Sequence, residues 1–229
     1  MITSAIIVTV LFAPPTSESF KRDRVQHISE MSANAQPAGI TAFTSLLTRE
    51  LPTWERIVVL KMLKPHHRPA ALKAVKRLMK HPDIHVRTEA TIRSHQWSPT
   101  LESLKALESF RSRGVNLRRA FQTGEVRGRP TYRADGPAFF LGSMSHPNVY
   151  SQLDGALGLV EQGDEPAASV ALGVFEAVLK KGSVNERRLA VHHMHTSFRE
   201  PRFVPLVKLA SDDPDETVSR LATTLLERL

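Results

Sequence analysis

The chain has 229 residues, 41% apolar and 24% charged, the balance of an ordinary soluble folded protein and enough for one sizeable core or a short array of repeats. It has no cysteine, which excludes disulfides, thiolate metal sites and cysteine nucleophiles. Its formal charge of +8 is uneven: residues 1–60 are balanced, residues 61–133 carry 17 Lys/Arg against 5 Asp/Glu, and residues 134–229 carry 9 against 13. The middle third therefore either steers polyanions toward itself or keeps a solvated surface in water.

The N-terminus reads as a separate segment, residues 1–38. Ile2–Ala13 is an apolar run followed by Pro14-Pro15. It is too short to cross a bilayer as a helix but matches a signal-peptide core in length. No Lys or Arg precedes it, and no clear small-x-small cleavage site follows. The alternatives are an apolar first helix and a disordered tail. Residues 14–38, rich in Ser, Pro, Ala and charge, read as linker. The compartment that fits is the cytoplasm, with export if residues 1–13 are a signal core.

From residue 39 onward the apolar spacing is helical. The periodicity predicts six helical hairpins: 40–51 with 53–63, 68–80 with 84–96, 99–113 with 115–123, 137–145 with 149–161, 165–181 with 184–198, and 201–211 with 216–228. The last is the clearest, with Val218, Leu221, Ala222, Leu225, Leu226 and Leu229 on one stripe. Successive second helices open 30 to 35 residues apart, a fixed period that marks stacked-repeat architecture. The punctuation agrees. Asp83 and Asp215 stand where a carboxylate caps the free N–H groups of a first turn, Ser98-Pro99 opens a helix, and Gly182 closes one.

The second helices share a motif. Asp83, Val86, Arg87 and Ala90 form Asp-x-x-Val-Arg-x-x-x-Ala; Asp215, Val218 and Ala222 repeat it without the arginine; Ser183, Arg187 and Ala190 repeat it in part, with Glu186 where Val is usual. The third and fourth copies match in spacing only. The pattern resembles HEAT-type repeats of the short bacterial kind over about residues 40–229. The resemblance implies an all-α, right-handed solenoid. It also implies structural roles for the motif: the Asp caps its helix, the Arg pairs with a neighbouring repeat, and the Ala permits close contact. It says little about function.

One stretch breaks the rhythm. Residues 124–136 hold three glycines, the arginines Arg127, Arg129 and Arg133, and Tyr132, with no helical stripe. Such an insertion reads either as a binding loop able to clamp phosphates and stack on a ring, or as a solvated connection. Lys73, Lys76, Arg77 and Lys80 fall at i, i+3, i+4 and i+7 on one helix, a dense cationic strip. With Arg118 and Arg119 these are the candidate binding residues. His192 and His195 share a helix face but lack the further ligands of a metal site, and His66-His67 precede another helix, so no metal or cofactor is expected. A glycosylase of HEAT-like fold would need a carboxylate and aromatic rings in a positive groove, from Trp54, Trp97, Tyr132 and Glu89 or Glu102; no family motif aligns on them. The expected function is a non-enzymatic scaffold for a protein partner. Nucleic-acid binding through the basic 61–133 surface is the alternative, and the glycosylase stands below both.

Overall fold

The computed structural model describes residues 18–126, 129–162, 165–196 and 200–228. Ile2–Ala13, Arg127, Phe198 and Leu229 thus lie outside the described residues. What is described is all-α apart from one two-stranded hairpin, and the chain divides into two compact units, residues 1–74 and 75–229.

In the first unit, α1 (Glu18–Ala33), α2 (Pro37–Ser45) and α3 (Thr53–Met62) pack together around Ile28, Phe43, Val59 and Leu60, all buried. Of residues 14–38, read as linker, Glu18–Ala33 form helix α1. Its apolar stripe is thin, and Ile28 and Ser32 are its buried residues. Polar contacts complete the docking: Arg24 Nε donates to Glu55 Oε1 at 2.6 Å, and Ser32 Oγ donates to the Met62 carbonyl at 2.5 Å. A helix held this way carries little hydrophobic periodicity for the sequence to show.

Helix α4 (Arg68–Leu78) contains the boundary between the units. The second unit continues with α5 (Ile84–Trp97) and α6 (Leu101–Ser109). Next come the 3-10 turns Arg111–Arg113 and Arg118–Ala120 and the antiparallel hairpin β1 (Gln122–Val126)–β2 (Arg129–Tyr132). Then follow α7 (Gly136–Met144), α8 (Val149–Gln162), α9 (Glu165–Lys181), α10 (Val184–Thr196), α11 (Val204–Ser211) and α12 (Glu216–Leu226). Helix α8 packs on α7, α9 and α10, and α10 packs on α12, while α9 packs on α11. Within this unit α8, α10 and α12 thus form one layer and α9 and α11 another. A single apolar core runs through them, from Ile92 through Phe121, Phe140, Phe175 and Phe203 to Leu225.

Two expectations are corrected here. The helix expected over residues 115–123 is a 3-10 turn leading into a strand, and the segment read as an irregular loop over 124–136 contains a β-hairpin. Gly114, in the left-handed region at φ 63°, ends the preceding helical path. Val126 pairs with Arg129 at the end of the antiparallel ladder.

The caps appear as expected, and a shared turn lies beneath them. Asp83 Oδ1 accepts the N–H groups of His85 and Val86 at 2.9 and 3.1 Å, and Asp215 Oδ1 accepts those of Thr217 and Val218 at 3.0 and 3.1 Å. The bond from Val86 N–H holds the Asp83 carboxyl below its ordinary range. Asn148 caps α8 through Ser151 N–H, and Ser183 caps α10 in a capping box with Glu186, which explains the glutamate. In three of these turns the side chain two residues before the cap accepts the cap's own N–H: His81 at 3.1 Å, His146 at 3.1 Å and Asp213 at 2.9 Å. The side chain four residues after each cap reaches back to a turn carbonyl: Arg87 to His81, Gln152 to His146, Arg187 to Gly182 and Ser219 to Ser211. Arg187 also forks onto Asp213 of the next turn at 2.7 and 3.0 Å. That fork raises the arginine's pKa and lowers the aspartate's. Val86, Ala90, Ala190, Val218 and Ala222 are buried.

Deleting residues 201–229 removes α11 and α12 and uncovers Phe175 and Met194, both fully buried. The truncated chain is expected to aggregate in size-exclusion chromatography. A soluble, fully helical product would contradict the interdependence of these layers.

Candidate functional site

The candidate cations fall into two groups. Lys73, Lys76, Arg77 and Lys80 are all exposed along α4 and its last turn, and among the described residues none of them forms an ion pair. The apolar residues of the same helix, Ala71, Val75 and Leu78, are buried. Amphipathic spacing thus turns the cations outward, four charges over about 10 Å of helix.

The second group is held inside the fold. Arg118, expected as a surface cation, is corrected to a buried one: its side chain is 9% exposed, and it sits between two carboxylates that are equally hidden. Its Nε donates to Asp154 Oδ1 at 2.9 Å and its Nη1 to Glu161 Oε2 at 2.6 Å. Burial works against this charge, but Asp154 and Glu161 outweigh it and raise the arginine's pKa. Burial also pushes the Asp154 carboxyl up, against the pull of Arg118. Asp154 Oδ2 accepts Leu117 N–H at 3.2 Å, and the Tyr132 hydroxyl donates to Glu161. Tyr132 is no open stacking platform, because its ring meets Phe140 edge-on at 5.2 Å. Arg119 pairs with Glu89 on α5 at 2.9 Å, and Arg133 pairs with Asp135 at 2.9 Å. Arg129 opens β2. The described residues of the connection, 111–126 and 129–132, therefore form a strap on α5 and α8, tied down by Arg119 on one helix and Arg118 on the other.

Beside the strap, where Phe121 meets the His95 ring at 4.9 Å, lies a Ser–His–Asp constellation that the sequence reading missed. His95 Nδ1 lies 2.8 Å from Ser103 Oγ, and its Nε2 lies 3.4 Å from Asp135 Oδ2. Ser103 is fully buried, and its hydroxyl oxygen accepts Thr100 N–H at 3.0 Å in the capping box of α6. A nucleophile must reach substrate, so here the three residues join α5, α6 and the start of α7. Burial lowers the His95 pKa, with Asp135 opposing.

The remaining candidates are scattered over the fold. Trp97 is 8% exposed, with the Arg93 guanidinium 5.7 Å from its ring centre. Trp54 is half-buried in the first turn of α3, and Glu102 is exposed on α6. His193 is buried against Tyr150 and pushed down to about 4 by that burial, while His195 Nε2 meets Arg228 Nη1 at 3.0 Å and His192 is exposed. His67 is buried against Phe43, with its Nδ1 accepting Lys64 N–H. Among the described residues no group of three or more His, Asp or Glu is placed to hold a metal ion, and no helix is long and apolar enough to cross a membrane.

Compared with protein-family models and with curated proteins, the chain matches none.

Proposed function

We infer that the chain is a non-enzymatic helical-repeat scaffold of the HEAT kind, a right-handed solenoid, which docks through α4 onto an acidic surface of a protein partner. The observation that carries this reading is the α4 strip. Arg118, Arg119, Arg133, Arg187 and Arg202 all face carboxylates, whereas Lys73, Lys76, Arg77 and Lys80 are exposed without one among the described residues. An acidic helix presents carboxylates at the same i, i+3, i+4 and i+7 spacing, which makes it a complementary partner. The recurring turn and cap support the repeat reading. Nucleic acid is the second reading, favoured by the density of the strip, since phosphates along a strand also offer closely spaced charge. The engagement of Tyr132 with Phe140 and Glu161 weighs against single strands, which call for open aromatic platforms.

The test is fluorescence anisotropy of the full chain with labelled polyglutamate, duplex DNA, and single-stranded DNA and RNA, at low and moderate salt. The chain is expected to bind the polypeptide. The variant Lys73→Glu/Lys76→Glu/Arg77→Glu/Lys80→Glu is expected to bind it about tenfold more weakly or worse, with an unchanged helical spectrum. Tighter, steeply salt-dependent binding of nucleic acid would replace the leading reading with the second and call for a glycosylase assay. No binding at low salt would remove both.

A further inference from the structure

The strap on α5 and α8 contrasts with what lies at the same position of α10 and α12. Glu89, Asp154, Leu189 and Leu221 each stand six residues after their helix caps, Asp83, Asn148, Ser183 and Asp215. At the first two positions the residue is acidic and takes a strap arginine: Glu89 takes Arg119 and Asp154 takes Arg118. At the last two positions it is leucine, and among the described residues no strap covers it. Leu221 is 42% exposed. One position earlier in each helix stand Arg188 and Arg220, both exposed and, among the described residues, without a carboxylate partner. Leu189 and Leu221 line an open depression of about 370 Å³ between α10 and α12, together with Asn185, Arg188 and His192. The chemistry at this helix position is therefore inverted between the two pairs of helices: acidic under a basic strap at α5 and α8, apolar beside exposed arginines at α10 and α12.

We propose that the depression between α10 and α12 is a docking site for an acidic peptide segment of another protein. The segment lies where the chain's own strap lies on the preceding helices. It places a large apolar side chain against Leu189 and Leu221 and a carboxylate against Arg188, with His192 and Asn185 as further donors. Charge complementarity selects this occupant. A basic segment like the strap would meet Arg188 in the lining instead of Glu89 or Asp154, and a purely apolar segment would leave that guanidinium without a partner. The site extends the scaffold reading but uses none of the α4 cations, so either can fail alone.

The experiment selects a displayed library of random peptides on the full chain and, in parallel, on Leu221→Asp. Both Leu221 and Arg188 are exposed, so the variants are expected to keep the parent's helical spectrum and melting temperature, which circular dichroism checks. Sequences joining Asp or Glu to Leu, Ile or Phe are expected on the parent and not on Leu221→Asp. A synthetic copy of the most enriched peptide is expected to bind Leu221→Asp and Arg188→Glu about tenfold more weakly or worse, the usual effect of losing an anchor residue. Its affinity for Lys76→Glu/Lys80→Glu is expected to match the parent. Enrichment indifferent to Leu221→Asp, or enriched peptides without carboxylates, would overturn the proposal. So would concentration-dependent dimers in sedimentation that Leu221→Asp abolishes, since the occupant would then be a second copy of this chain. Peptides lost with the α4 variant alone would point to that strip and overturn the groove.

Discussion

Arg118→Met is expected to cost the fold about 3–5 kcal/mol, because it leaves two carboxylates buried without their counter-charge. The side chains of Asp154 and Glu161 are only 8% and 7% exposed, so water cannot replace the guanidinium without opening the strap. Methionine keeps most of the apolar volume, which separates the charge effect from a cavity. Urea unfolding of the full chain, followed by circular dichroism, gives the magnitude. The companion Arg118→Met/Asp154→Asn/Glu161→Gln removes the unpaired charges and leaves Leu117 N–H and Tyr132 an amide oxygen each to donate to. It is expected to recover most of the loss, since buried ion pairs are often replaceable by uncharged groups when all partners go together. A single variant that loses under about 1 kcal/mol would mean that the carboxylates reach water and that the strap lifts readily.

How much of this was legible in the sequence depends on the reach of each interaction. The caps at Asp83 and Asp215 bond to N–H groups two and three residues on, so a local motif announces them. The α4 strip follows from the spacing of one helix. The back-bonds of Gln152 and Ser219 belong to the same local frame, although the side chains differ from arginine, because amide and hydroxyl donors reach the same turn carbonyls. The strap was not legible. Arg118 and Asp154 are 36 positions apart, and each alone looks like an ordinary surface charge. Helix α8 adds to the difficulty, because it is enclosed on nearly every side and its buried residues include Ser151 and Asp154 beside Leu153, Leu157 and Val160. A helix covered all round has no polar face for periodicity to find. The expected helix over 115–123 failed for a related reason: Leu117, Ala120 and Phe121 are buried at helix-like spacing, but they are held by a 3-10 turn packed on α5 and α8.

Phe140→Ala is expected to cost about 3–5 kcal/mol, as large-to-small changes at fully buried aromatic positions do. The ring is 1% exposed and lies among Phe121, Phe139 and Tyr132, with centroids 5.5, 6.4 and 5.2 Å away, so it joins the strap to the core. Its other side explains a glycine. A Cβ at Gly158 would lie 2.8 Å from the ring atoms of Phe140, too close for a buried and tightly packed ring to yield cheaply. Gly158→Ala alone is therefore expected to destabilise by about 1–3 kcal/mol despite the better helix propensity of alanine. In the Phe140→Ala background the same methyl enters the vacated space, so the double variant is expected to be more stable than the sum of the two losses allows. A coupling of about 1 kcal/mol or more in a double-mutant cycle would establish the contact. Strict additivity would mean that the ring and α8 do not meet there, and that the aromatic cluster does not hold the strap in place.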